Sequence, residues 1–309
     1  MAEPNIARPR GAAPHARRKG FGAFCALVAV LIVGLLFNPF SASAERGDQG
    51  TGRSHGRQHA PKPGREDAGD AASPAARTPV PVPDASGSTL DRLIAAGEPI
   101  YCGGGTQPLV ALTFDDGPGV YTQKTIDLLK SRGVTATFFT VGKLYGAAPG
   151  WADLLRVEAQ LGEVGDHTWD HIAVRGMSPA ELDEQIAKTQ RAAEHLSGEP
   201  VVLFRPPLGA RDEVLDRYVR SRDMITVMWS IDSGDSQGAT ADQIYRTVRD
   251  RLSPGDIILL HEGRGTTQNA LPAILDLIAA RGYTTVTVPQ LLEMDPPTNE
   301  QLRQRSCPA

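Results

Sequence analysis

Residues 109–118 read LVALTFDDGP: the run Leu109–Phe114, apolar at five of its six positions, leads straight into the paired acids Asp115 and Asp116. An apolar run of that length suits a strand covered on both faces, as in a parallel sheet, and here it ends in two carboxylates. The same pattern recurs along the chain. Val134–Val141, Glu163–Gly165, Val201–Phe204, Ile225–Ile231, Asp256–Leu260 and Tyr283–Val288 also read as strands, with amphipathic stretches between them. One such stretch opens with Ser178-Pro179-Ala180-Glu181, a capping box with proline in the first turn. Leu182, Ile186, Ala193 and Leu196 then follow at helical spacing up to Gly198. The βα unit repeats about seven times, which predicts an α/β fold with a parallel sheet: an open doubly wound sheet, or a closed or incomplete barrel.

Polar residues collect at one end of these strands. Asp115 and Asp116, His167, Arg205, Asp232 and Asp235, and His261 each stand at or just after a strand's C-terminal end, the edge that carries active sites in parallel βα folds. Residues 167–171 read HTWDH, which on a helical turn would set His167 and His171 on one face at a spacing suited to a divalent metal. Such a pair alone is more often a pair of surface histidines, and adjacent acids after a strand often only cap a turn. Together they supply two imidazoles and a carboxylate with one coordination position left for water, and a second acid to serve as a base.

Taken in order, TFDDGP (113–118), HTWDH (167–171), RPPLG (205–209), DSGDS (232–236) and LLHE (259–262) resemble the five motifs of the NodB-type polysaccharide deacetylases, carbohydrate esterase family 4, over about residues 105–294. The resemblance implies a distorted (β/α) barrel of about seven parallel strands. It implies that Asp116, His167 and His171 hold a divalent metal, zinc first with cobalt or nickel as alternatives, and that Asp115 is the general base. Arg205 would orient that base and keep it ionised, and His261 would be the general acid with Asp235 as its charge partner. Leu208 would offer its backbone N–H to the oxyanion, and Leu260 would line the pocket for the acetyl methyl group. Three positions depart from the family pattern: Leu208 replaces a tyrosine, Ser236 a tryptophan and Glu262 an aspartate. These bear on substrate preference.

The 309 residues are 40% hydrophobic, with 32 Lys and Arg against 36 Asp and Glu. Residues 1–44 carry five of the basic side chains and one acidic, so the remainder is more acidic still, and a nucleic-acid partner is not expected. Arg17, Arg18 and Lys19, the apolar run Phe21–Phe37 and then Ala42-Ser43-Ala44 have the order of an export signal, cleaved after Ala44 or retained as a membrane anchor. The chain is therefore expected outside the cytoplasm, with any membrane contact made through residues 21–37. Residues 45–89 are rich in Gly, Pro, Ala and charge, and read as a disordered linker ahead of a catalytic domain over 90–309. With Cys25 in the apolar run, Cys102 and Cys307 remain as a candidate disulfide, since neighbouring first and last strands of a barrel would bring them together; two free thiols are the alternative.

The motifs suit a monomeric, metal-dependent enzyme that removes N-acetyl groups from an N-acetylglucosamine polymer, with peptidoglycan favoured over chitin for an exported chain. A xylan O-acetyl esterase and a catalytically silent wall-binding module are the other readings. The full set of acids and histidines weighs against the last.

Overall fold

The computed structural model describes residues 88–308. The export segment and nearly all of the linker expected from the sequence lie outside the described residues. Among the described residues there are eight strands: β1 Leu109–Gly117, β2 Thr137–Thr140, β3 Glu163–Asp166, β4 Leu203–Phe204, β5 Ile225–Thr226, β6 Ile231–Asp232, β7 Ile257–His261 and β8 Thr284–Val286. The helices are α1 Ser88–Ala96, α2 Thr122–Arg132, α3 Trp151–Leu161, α4 Pro179–Leu182, α5 Lys188–Ser197, α6 Glu213–Ser221, α7 Ala241–Arg251, α8 Gly265–Ala280, α9 Val288–Met294 and α10 Asn299–Gln304. Every ladder is parallel. The order is β5-β4-β3-β2-β1-β7-β6, with β8 beside the first residues of β1. Among the described residues no ladder joins β5 to β6, so the sheet curls into the expected distorted barrel without closing.

Alternation along the strands decides which side chains face the hollow of the curl. Val110, Leu112 and Phe114 of β1 and Ile258 and Leu260 of β7 pack outward against Leu129 of α2, Ile244 and Val248 of α7, and Leu271 and Ile274 of α8. Leu109 and Ala111 of β1, Phe139 of β2, Leu203 of β4 and Ile257 of β7 form a separate inner cluster with Leu93 of α1 and Leu291 and Leu292 of α9. Each large apolar side chain fully buried this way contributes about 1.5–3 kcal/mol. The inner row of β1 continues to Thr113 and Asp115, that of β7 to Leu259 and His261, and that of β4 to Arg205. The polar inner residues thus sit at the strand ends, above an apolar floor.

One local expectation needs correction. Ile225–Ile231 is not one strand but two, β5 and β6, because Met228 donates its N–H to the Ile100 carbonyl and the Val227 and Met228 carbonyls accept from the Arg205 guanidinium. Those bonds take the place of a continuous ladder. The capping box stands as expected, with Ser178 accepting from the Glu181 N–H and Pro179 at the start of α4. The helix it opens passes through one π turn, Asp183–Ala187, before α5 and ends at Gly198 with φ 79°.

The two ends of the domain meet. Cys102 bridges to Asp256, Leu302 of α10 packs into the inner cluster, and Cys102 is bonded to Cys307 with their Cα atoms 5.8 Å apart. Among the described residues no helix is long and apolar enough to cross a membrane.

Candidate active site

The site grows from the end of β1. Asp115 is the last residue in register with both neighbours, opposite Phe139 and His261; the β2 pairing then shifts between Asp115 and Gly117. Strict alternation would turn Asp116 away from the hollow. Instead Asp116 adopts a left-handed backbone (φ 71°), and both carboxylates come to lie beside one imidazole: His167 Nε2 is 3.6 Å from Asp115 Oδ2 and 3.6 Å from Asp116 Oδ1.

His167 and His171 do not share a helical turn, contrary to the sequence expectation. They lie on an irregular loop after β3, in which Thr168 (φ 66°) and His171 (φ 56°) are left-handed. Non-glycine residues in that region cost about 1–3 kcal/mol each and persist only when their surroundings hold them. Here Asp166 Oδ1 accepts from the Thr168 N–H, Thr168 Oγ1 accepts from the His171 N–H, and Gln185 bonds both the N–H and the carboxylate of Asp170. The loop so pinned brings the two imidazole centroids to 5.0 Å and places His171 Nε2 2.9 Å from Asp116 Oδ1.

These three side chains form a cluster fit for a metal ion, with candidate ligand atoms all within 4.8 Å of one another. Its donor set of two imidazoles and one carboxylate suits zinc or a similar divalent cation. His167 donates its Nδ1–H to the Arg205 carbonyl at 2.7 Å, which fixes the tautomer and turns the Nε2 lone pair toward the acids. Burial lowers the His167 pKa, favouring the neutral form that a ligand requires. Burial also acts to raise the Asp116 carboxyl, but the adjoining His171 and His167 take it down to about 2, so it is an anion at neutral pH.

Two further pairs flank the cluster. Arg205 is wholly buried, and its Nη1 donates to Asp115 Oδ1 and to Thr113 Oγ1, each at 2.7 Å. Its Nη2 donates to the Met228 carbonyl and its Nε to that of Val227, while the guanidinium lies 4.0 Å from the centroid of the Phe139 ring. On the other side, His261 donates its Nδ1–H to Asp235 Oδ1 and its backbone N–H to Asp235 Oδ2, each at 2.7 Å. Burial works to lower the His261 pKa, but the bond to Asp235 prevails and the net shift is upward. Thr267 of α8 donates to the same carboxylate.

Leu260 does not face this hollow. It is fully buried in the outer cluster with Phe114 and Phe138, because it neighbours the inward-facing His261 on a strand with a period of two. Leu259, two residues before His261 and so on its face of the strand, is 4% exposed. Leu208 stands in a left-handed turn over Pro207–Gly209 and is 81% exposed. Trp169 packs so closely on Gly142 that a Cβ there would collide with the ring, and Lys188 Nζ lies 4.0 Å from its centroid; the tryptophan is a packing residue. Thr113 and Thr267 were not among the residues expected from sequence. Thr113 could have been found two positions before Asp115 on the same strand face, whereas Thr267 has no local signal.

The polysaccharide deacetylase family profile matches residues 103–227. A peptidoglycan-N-acetylglucosamine deacetylase of Bacillus cereus is 32% identical over 189 residues, 60% of this chain and 68% of the relative. A bifunctional xylanase/deacetylase of Pseudobutyrivibrio xylanivorans is 32% identical over 191 residues, 61% of this chain, and the match spans only 31% of that relative's length. Among solved structures, a carbohydrate esterase family 4 pseudoenzyme from Bacillus anthracis superposes with a TM-score of 0.59 at 28% identity, covering 63% of this chain and 68% of that one. With the five motifs gathered at one edge of the sheet and the similarity spanning two-thirds of a deacetylase's length, the chain belongs to the polysaccharide deacetylase family, the family 4 carbohydrate esterases.

Proposed function

We propose that this chain hydrolyses the N-acetyl groups of N-acetylglucosamine-containing polysaccharide, peptidoglycan before chitin-like oligosaccharide, outside the cytoplasm and as a monomer. The observation that carries the reading is the convergence of Asp116, His167 and His171 between a buried Asp115–Arg205 pair and a buried Asp235–His261 pair. Asp116, His167 and His171 would hold the divalent cation, zinc by preference. Bound there, the cation would acidify a water and polarise the acetamide carbonyl.

Asp115 has Oδ1 committed to Arg205, which leaves Oδ2, on the His167 side, to accept the proton of the attacking water. His261 has Nδ1 committed to Asp235 and keeps Nε2 to protonate the departing amine, and its raised pKa favours the charged, donating form. The Leu208 backbone N–H is the candidate oxyanion donor. Leu259 is the candidate contact for the acetyl methyl group.

The Bacillus cereus relative supports the N-acetyl substrate. The xylanase/deacetylase relative favours a second reading, de-O-acetylation of xylan, which the same base and acid would serve. The complete set of acids and histidines speaks against a silent module. Acetate release from N-acetylated peptidoglycan and from acetylated xylan, each with and without dipicolinate, tests the proposal. Free amine appearing on the glycan, abolished by the chelator and restored by zinc or cobalt, is the expected result; full activity after verified metal removal would refute it.

A further inference from the structure

Beneath the site lie two carboxyl groups for which the reaction has no use. Glu158 of α3 and Glu262, the residue after His261, are both 0% exposed. Glu262 lies close enough to Glu158 to raise its pKa. Glu158 Oε1 and Oε2 and Glu262 Oε1 are buried without any hydrogen-bond partner, and as two ionised carboxylates they would be left uncompensated. A proton on the pair resolves this, because an O–H···O bond then joins the two groups and halves the buried charge. Burial, and for Glu158 the neighbouring Glu262, raises both groups, Glu262 to about 7 and Glu158 well above the carboxylate range, which favours one proton shared by the pair.

The pair is tied to the site by three connections. Glu262 donates its N–H to the Asp115 carbonyl at 3.0 Å. Its Oε2 accepts from Thr122 Oγ1, which in turn accepts from the Gly119 N–H at 2.8 Å. The same Oε2 presses on Gly117 so closely that a Cβ there would collide with it. Hydrogen bonds thus run from Glu262 through Thr122 into the turn that follows Asp116, with Glu158 of α3 as the carboxyl neighbour of Glu262. The family's aspartate at position 262 would be one methylene shorter, and α3 supplies the partner that the longer side chain meets.

We propose that Glu158 and Glu262 form a proton-sharing pair that positions the Gly117–Thr122 turn, and with it Asp116, against the end of β7. Both are positioning residues, and so is Thr122. The inference rests on the deacetylase reading for its kinetic consequence only, since the geometry of Asp116 also sets affinity for the metal.

The test measures zinc affinity by competition with a chromophoric chelator, and kcat and KM for acetate release, on the full chain. Glu158→Leu, which removes the donor, should weaken zinc binding at least tenfold and lower kcat by a similar factor with KM little changed. Glu158→Gln, which keeps a donor without a charge, should restore both to within about threefold of the parent. Thr122→Val should weaken zinc binding and kcat in the same direction, and Thr122→Ser should recover them; this second pair decides the matter if Glu158→Leu does not fold. Parental zinc affinity in folded Glu158→Leu or in Thr122→Val overturns the proposal, as does Glu158→Gln behaving no better than Glu158→Leu. If the parent binds zinc but releases no acetate, the deacetylase reading fails, while the order of zinc affinities still supports or refutes the positioning role.

Discussion

Replacing Arg205 by methionine should destabilise the domain far more than an ordinary surface change. The substitution keeps an unbranched stem against Phe139 but deletes four hydrogen bonds, to Asp115, Thr113, Val227 and Met228. It leaves Asp115, 2% exposed, as a buried carboxylate without its guanidinium. Burial holds the His167 pKa down, so at pH 7.5 that imidazole supplies no replacement charge. Breaking a buried ion pair by removing one partner costs about 3–5 kcal/mol, because the surviving charge stays desolvated and uncompensated. For a domain of this size that lowers Tm by about 10 °C. The assay is urea unfolding followed by tryptophan fluorescence on metal-stripped protein at pH 7.5, for Arg205→Met, Asp115→Asn and the double variant. Because the penalty is electrostatic, the double variant should recover part of it, with a coupling of about 1–3 kcal/mol. A loss below about 1 kcal/mol for Arg205→Met, or additivity of the two changes, would show that the pair is not the buried, mutually dependent unit inferred from its geometry.

Asp115→Asn should leave zinc content near the parental value while kcat falls about 10²–10⁴-fold, whereas His167→Ala should lose the metal itself, as metal analysis of the purified variants would show. His261→Ala should slow an acetamide substrate more than an activated aryl ester, since an aryloxide departs without a proton; equal losses on both would remove His261 from the acid role. The raised His261 pKa means that the protonated, active form is lost as pH climbs through that value, so Asp235→Asn should move the alkaline limb of the pH–rate profile to lower pH. The Cys102–Cys307 bond closes a loop with a sequence separation of 205, worth on the order of 5 kcal/mol in the chain-entropy model. Mass spectrometry after alkylation should find both thiols blocked until reductant is added, and their modification without reductant would refute the bond.

Much of the site was legible because strand ends are written in one dimension. An apolar run that stops at Asp115, Arg205 or His261 marks an inward-facing position at the C-terminal edge, and the period of two ties each polar residue to the face of those before it. The same rule, followed strictly, also separates Leu259 from Leu260: only the former shares a face with His261. What lay beyond local pattern was backbone conformation that distant groups impose. The loop carrying His167 and His171 has helical spacing in the sequence, yet Asp166, Gln185 and the left-handed Thr168 hold it in another shape. Ile225–Ile231 has the composition of a strand, but its middle carbonyls belong to Arg205.

The residue order alone determined the βα repeat, the parallel sheet and the identity of the two acids, the arginine and the histidines at its edge, because burial on both strand faces leaves a composition that can be read directly. Only the folded chain decided that Asp116 turns back beside Asp115, that Glu262 accepts from Thr122, and that Cys102 reaches Cys307. Each of these joins groups whose separation along the chain is unrelated to their separation in space, or needs a backbone conformation that costs energy unless neighbours from other strands supply compensating bonds.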